Sequence, residues 1–369
     1  MKKAAFKLIS SLLMIPLLGM ALGGCGGNSG ASPAQTQTQT QTSTAPAGES
    51  ALQGEVAKIY EAAKKEGKLV LWSPTDVAQI QKMKEDFNKV YPGIEVEHFE
   101  IQPGEAVEKI ITESSAGQVN VDVADFPLAY LPQLINRGLI EKYDYEGVFG
   151  LKSLRFDSQA VDIYHLSVPI SYNKNLVSEE DVPKSWDDLL LPKWKGKKII
   201  LESRGIAFSI LSQEWGEQKT LEFLDKILAQ DPIIVKGGTP TLQSLANGEG
   251  AIAIGTYAYK VDELQKKGAP VDFANVGPVP AMGYAAGVLK KSPHPNAALL
   301  FASWLGSKEG LLSRERTSGA GMLVNNETIT AIGKRFAEHN TKIVVEDEKS
   351  IDTNSKILEE VGKRISSLK

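Results

Sequence analysis

The chain has 369 residues, 42% hydrophobic and 23% charged, with 33 glycines and 18 prolines, a composition that builds a buried core and excludes collagen-like or wholly disordered chains. Forty-one Lys and Arg against 45 Asp and Glu give a formal charge of -4, so no basic field exists to hold a nucleic acid. The single cysteine excludes an internal disulfide, a thiolate zinc cluster and a CxxC redox pair.

Lys2, Lys3 and Lys7 open the chain, and residues 8–22 form an apolar run broken by Ser10, Ser11, Pro16 and Gly19, too short and too interrupted for a membrane span. The run predicts a secretory signal over residues 1–24. It ends in Leu22-Gly23-Gly24-Cys25, which resembles the lipobox of bacterial lipoproteins. That resemblance implies cleavage before Cys25 and a diacylglyceryl group on its sulfur, holding the protein at the outer face of the cell membrane. From Gly26 to about Ser50 the chain is Gly, Ser, Ala, Pro, Gln and Thr apart from Asn28 and Glu49, with too little apolar mass to offset ordering entropy. Residues 25–50 are therefore expected to be the lipidated cysteine and a flexible tether, with a coil dimension of roughly 25 to 30 Å.

The remainder alternates. Lys68 to Trp72 is a predicted strand, and Asp76 to Tyr91 carries Val77, Ile80, Met83, Phe87 and Val90 at helical steps before Pro92-Gly93. A strand at Ile94–His98, a helix at Glu105–Ser115, a strand at Val119–Ala124 and a helix at Leu128–Arg137 follow. Later pairs are Lys198–Glu202 with Phe208–Trp215, Ile233–Val235 with Thr241–Ala246, and Ala251–Ile254 with Tyr259–Lys267. Strands alternating with helices predict an α/β fold of mostly parallel sheets covered on both faces. The length after the tether favours two lobes over one. Leu166 to Tyr172 and Val271 to Pro280 are the expected crossings between them, and a third crossing near Val324 would send the C-terminal helix, with Ile357, Leu358, Val361, Ile365 and Leu368 on one face, to lobe two. The expected partition is lobe 1 over 51–165 plus 272–323 and lobe 2 over 166–271 plus 324–369. Ligands of open α/β sheets bind outside the carboxyl ends of the strands, so the two lobes predict a wet, polar cleft between their strand-end loops.

The segments Val168-Pro-Ile-Ser-Tyr172-Asn-Lys-Asn-Leu-Val177, Val182-Pro-Lys-Ser-Trp-Asp-Asp-Leu-Leu, Pro192-Lys-Trp-Lys-Gly-Lys197 and Leu245-Ala-Asn-Gly-Glu249 closely resemble the extracellular solute-binding proteins of bacterial ABC importers, nearest to the ferric-ion-binding branch. The resemblance runs from about Lys68 to Leu323. It implies the two-lobed periplasmic-binding-protein type II fold with hinge strands and an interlobe ligand cleft. It also implies a receptor that hands a small solute to a permease, here kept near it by the lipid anchor, with no chemical reaction and no cofactor. A monomer is expected.

In the ferric branch, adjacent tyrosines after the Leu-Ala-Asn-Gly-Glu segment bind the metal, phenolates being hard donors for a hard trivalent ion. This chain has Tyr257-Ala258-Tyr259 there; in an extended segment the two phenols would point the same way, while at a helix start they diverge by about 200 degrees. Tyr257 and Tyr259 are metal ligands only if the solute is ferric ion, and otherwise an aromatic wall for an organic ligand. Ser203-Arg204-Gly205 follows a strand and opens a helix, offering free amides and a guanidinium to an oxyanion or organic acid, and resembles the family's anion-contacting turn. Gly237 to Thr241 is similar in kind, with Thr239 the candidate contact. Ser73, Thr75 and Asp125 follow lobe-one strands and are expected on the opposite wall, and Tyr172 lies in the resembling crossing.

Rival readings are a secreted enzyme on a bilobal scaffold and a surface adhesion lipoprotein. No GxSxG elbow, P-loop, HExxH or strand-following GxGxxG is present. The scattered His98, His165, His294 and His339 are expected at the surface, and the acidic runs Ser178–Asp181 and Glu346–Glu348 as solvated faces or helix starts, or as lobe-tip acids that meet a permease.

Overall fold

The computed structural model describes residues 47–323 and 330–368; the expected signal, Cys25, most of the tether and the crossing near Val324 lie outside them. Helix α1 (Ala47–Glu66) leads into β1 (Lys68–Ser73), α2 (Val77–Val90), β2 (Glu95–Glu100), α3 (Pro103–Ser115) and β3 (Val123–Pro127). Then come α4 (Leu131–Ile135), α5 (Tyr145–Phe149), β4 (Leu154–Arg155), β5 (Ala160–Ser167) and β6 (Ser171–Asn173). Beyond β6 lie β7 (Ile199–Glu202), α6 (Ile206–Trp215), α7 (Glu217–Leu228), β8 (Ile233–Val235), α8 (Gly238–Ala246), β9 (Ile252–Ile254), α9 (Ala258–Lys266) and β10 (Val271–Phe273). The chain ends with β11 (Val279–Val288), α10 (Pro295–Gly306), α11 (Lys308–Ser318), α12 (Ala331–Glu338), β12 (Ile343–Val345) and α13 (Ile351–Ser366).

Helices start where the sequence provides an acceptor for their free amides. Asp76 takes the Ala78 and Gln79 amides at the head of α2, Ser307 takes Gly310 on α11, and Thr330 takes Gly333 on α12. Helix α1 begins four residues inside the stretch expected to be tether; its Val56, Ile59, Tyr60 and Ala63 pack on the first core.

The strands form two sheets. One runs in the order β2-β1-β3-β11-β5-β4 with β12 beside β11, the other β10-β6-β9-β7-β8. Side chains of β1 alternate, with Leu69 and Leu71 facing the core under α2 and α10 and Val70 and Trp72 facing the core under α3, so both faces of the first sheet are covered. The second sheet is covered likewise. Leu201 and Ile254 lie in the core with Phe208 of α6, Phe223 of α7 and Val361 of α13, and Ile200 and Ala253 lie in the core with Leu245 of α8, Val261 of α9 and Phe336 of α12.

The expectation of mostly parallel sheets is corrected. β1 pairs in parallel with β2 and β3, and β7 with β8 and β9, but β11 runs antiparallel to β3 and β5, and β6 antiparallel to β9 and β10. At the crossings β5 leads into β6 and β10 into β11, and it is the strand entered, β6 or β11, that runs against the βαβ core of the sheet it joins. After α12 the chain returns to the first sheet as β12, parallel to β11, before α13 packs on α6 and α7.

Candidate functional site

Four tyrosines meet where the two sheets face each other. Tyr164 of β5 and Tyr284 of β11, opposite one another in register, stack at 4.3 Å between ring centroids with an 18° interplanar angle. From the second sheet, the segment after β9 brings Tyr257 and Tyr259, their rings 6.2 Å apart and 31° from parallel. Tyr257 packs against cores of both sheets, and so does Tyr259. Residue 257 is extended and caps α9 while residue 259 lies in the helix, yet the two rings stay neighbours.

Small residues admit these rings. A Cβ on Gly238 would sit 2.9 Å from the Tyr257 ring, and Gly255, at φ +101°, turns the chain where a Cβ would lie 2.3 Å from Glu202 Cβ.

Under the rings lies a buried ion pair. Arg314 of α11, 2% exposed, stacks its guanidinium 4.4 Å over the Tyr164 ring. Its Nη2 donates to Asp125 Oδ2 at 2.9 Å and its Nη1 to Thr75 Oγ1 at 3.0 Å. Thr75 also faces the Tyr164 phenol. Burial pushes the Asp125 carboxyl up, against the pull of Arg314. Burial likewise raises all four phenols, Tyr164 and Tyr284 well above the ordinary value and Tyr259 to about 12, while the Arg204 guanidinium opposes the rise at Tyr257.

Of the residues anticipated from sequence, Thr75, Asp125, Tyr257 and Tyr259 come together here. Ser73 lies beside them, buried, its Oγ accepting the Thr75 amide at 2.9 Å. Asp125 sits within β3 rather than beyond its end. Arg204 faces Tyr257, but its Nε is held by Glu202 Oε1 at 2.7 Å, and the same oxygen accepts the Gly237 amide at 3.0 Å. The buried Glu202 carboxylate thus stands where an external oxyanion was expected to meet Arg204 and the start of α8. Ser203 donates its amide to Val235 on the neighbouring strand, and Gly205, left-handed at φ +73°, brings α6 against Val361. Thr239 is exposed on the first turn of α8. Tyr172 is not part of the cluster: it lies on β6 near Asp272 and Arg335.

Sequence reasoning missed Tyr164, Tyr284 and Arg314. Gly310, Ser313 and Arg314 are the buried residues of α11, at steps of three and four, and that face was the available signal within a stretch that otherwise looks charged and solvated.

Several other expectations are corrected. His165 is 1% exposed, its Nδ1 accepting the Leu323 amide at 3.2 Å and its Nε2 lying 3.4 Å from Asp162 Oδ2. His294 is bound through Nδ1 to the buried Asp122 at 2.9 Å. Glu346 is 5% exposed rather than part of a solvated run. The expected wet gap is filled, in this arrangement, by the tyrosine rings. A groove of about 590 Å³ over edge strand β2, lined by Trp72, Phe99, Glu105 and Lys109 among others, shares no residue with the cluster. Among the described residues no group of three or more His, Cys, Asp or Glu could hold a metal ion, and no helix is long and apolar enough to cross a membrane.

Two mixed sheets joined by crossing strands, with polar and aromatic side chains from both gathered between them, define a two-lobed cleft protein of periplasmic-binding-protein fold. The chain belongs to the bacterial extracellular solute-binding protein family, whose profile matches residues 82–320. An uncharacterized protein of Haemophilus influenzae is 29% identical over 174 residues, 45% of this chain and 49% of that protein. The probable ABC transporter periplasmic-binding protein y4fP of Sinorhizobium fredii is 23% identical over 235 residues, 59% of this chain and 64% of that protein. The matches thus span about half to under two thirds of these curated relatives. The crystal structure of iron-bound HitA from Pseudomonas aeruginosa superposes with a TM-score of 0.64 at 20% identity, covering 80% of this chain and 99% of that one; at that identity the likeness is one of fold.

Proposed function

We propose that the protein is an extracellular receptor of an ABC import system, anchored by lipid on Cys25, that captures one small solute between its lobes and presents the closed form to a permease. The lobes that move are taken as 51–165 plus 272–323 and 166–271 plus 324–369, apart from β12, which stays with β11 of the first sheet. They hinge where β5 passes into β6, where β10 passes into β11 and in the chain on either side of β12. The reading is supported above all by Tyr257, whose ring packs against cores of both sheets beside Tyr259 and near Tyr284. A side chain so placed is exposed when the lobes part and covered when they close. The lining is aromatic and polar, with no nucleophile and base in hydrogen-bonding reach of one another among the described residues, so it suits holding a solute rather than transforming it. The Sinorhizobium relative, a probable ABC transporter periplasmic-binding protein, agrees with import.

Screening residues 51–369 by thermal unfolding against carboxylates, phosphonates, sugars, anions and ferric ion tests the reading. A ligand that binds only the folded state raises stability by RT ln(1 + [L]/Kd), about 2.7 kcal/mol at a hundredfold excess over Kd. One solute class is expected to respond, with the response reduced in Tyr257→Phe; indifference to every class would remove the receptor reading.

Ferric ion is a second reading, favoured by four phenols in one place and by the iron-bound state named for HitA. It requires phenolates, and would show as a visible charge-transfer band on ferric addition that is lost in Tyr257→Phe. A colourless protein would retire it.

A further inference from the structure

The lining of the tyrosine cluster is balanced in charge. Arg314 is paired with Asp125 at 2.9 Å and Arg204 with Glu202 at 2.7 Å, and both carboxylates are buried. The four phenols are held in their neutral form by burial. A bare anion therefore meets, among the described residues, only cations whose charge a carboxylate already balances. A bare ferric ion would have to displace protons that burial retains, beside two guanidinia. Matching a neutral lining calls for a solute of zero net charge.

Two charged groups are nevertheless left incomplete. Asp125 Oδ1 and Arg314 Nε are buried and have no hydrogen-bond partner among the described residues. One is an anionic acceptor and the other a cationic donor, and buried polar atoms of this kind are costly to leave unpaired. They belong to a pair joined through their other atoms, so a molecule that satisfies both need not be large. The Tyr164 ring lies directly against this guanidinium, and Tyr259 is close enough to influence both.

We infer that the cargo is a small zwitterion, its amine received at Asp125 Oδ1, its acid group at Arg314 Nε, and its carbon skeleton laid against the Tyr164 and Tyr259 rings. This rests on the receptor reading above and names the solute class for the same cleft. The zwitterion supplies both missing partners in charge-assisted form and leaves the net charge of the lining unchanged. Because both atoms are sealed in the present arrangement, the solute enters while the lobes are apart, before Tyr257 and Tyr259 close over it.

Isothermal titration calorimetry on the unsubstituted protein at pH 7 provides the test. The probes are the free α-amino acids, their N-acetyl derivatives, which lose the amine charge, their amides, which lose the acid charge, and sulfate and ferric citrate. At least one free amino acid is expected to bind one per chain, and loss of either charge is expected to weaken it at least about tenfold, the scale of one hydrogen bond to a charged group. Asp125→Asn should reduce affinity for the zwitterion and erase its advantage over the N-acetyl derivative; the derivative series on the unsubstituted chain stands even if that variant fails to fold. No binding by any free amino acid, or equal binding of free and N-acetylated forms, overturns the inference. If sulfate or ferric citrate binds instead, with a Tyr257 dependence, the receptor reading survives alone; if no probe class binds, the zwitterion inference falls, and the receptor reading falls with it only if the thermal screen is blank as well.

Discussion

Arg314 carries its charge into the molecule, where Asp125 and Thr75 hold two of its nitrogens and Tyr164 lies against its face. Removing one partner of a buried pair strands the other, at about 3–5 kcal/mol, whereas removing both strands neither. Arg314→Ala is therefore expected to cost about that much in urea unfolding, and the double variant with Asp125→Ala markedly less than the sum of the two single variants. Simple additivity would show that the pair is not energetically joined. Asp125 and Thr75 were legible from sequence because they sit near the ends of predicted strands. Arg314 was not, because Ser313-Arg314-Glu315-Arg316 looks like any exposed helical turn until the fold turns one side of it inward. Tyr257 and Tyr259 were legible as neighbours in sequence, while Tyr164 and Tyr284 became neighbours only through the pairing of β5 with β11, a long-range register that local pattern does not encode.

At the scale of elements, the start of α6 depends on how closely α13 can approach it. Gly205 has φ +73°, and a Cβ there would lie 2.4 Å from Val361 Cγ1. Gly205→Ala thus combines a left-handed alanine, about 1–2 kcal/mol, with overpacking of about 1–3 kcal/mol. A loss of about 2–5 kcal/mol in urea unfolding is expected, of which adding Val361→Ala relieves the overpacking share but not the backbone share. A cost under about 0.5 kcal/mol would mean that α13 is not seated on α6 as described. Most elements of the two sheets were legible from apolar periodicity, because each strand or helix turns one or two apolar faces to a core. The strand directions at the crossings were not, since pattern reports which face is buried and not which way a neighbour runs. Helix α1 was obscured because its first residues continue the polar, small-residue composition of the tether.

For the molecule as a whole, one buried carboxyl near the joint between the sheets ties stability to pH. Glu346, just past β12, is buried, with Oε2 unpartnered among the described residues. Asn354 of α13, the Gly283 amide of β11 and the charge of Arg155 ease its ionisation, but burial prevails and raises its carboxyl from 4.5 to about 7. The folded state then keeps a proton that the unfolded chain has lost between about pH 4.5 and 7. Its contribution is fully present below that window and is lost as pH rises through it, roughly 3 kcal/mol in all. Glu346→Gln, which mimics the protonated group, should flatten the stability profile over this range relative to the unsubstituted chain; parallel profiles would contradict the assignment.

The central claim is that two lobes close on a solute about the tyrosine cluster, and an interlobe distance tests it most directly. Spin labels at the exposed positions 82 on α2 and 226 on α7 report on opposite sheets. Pulsed dipolar spectroscopy without solute and with the tightest ligand from the calorimetric series should show the distance distribution shorten and narrow on binding. A distribution unchanged by a solute that calorimetry shows to be bound would contradict the account.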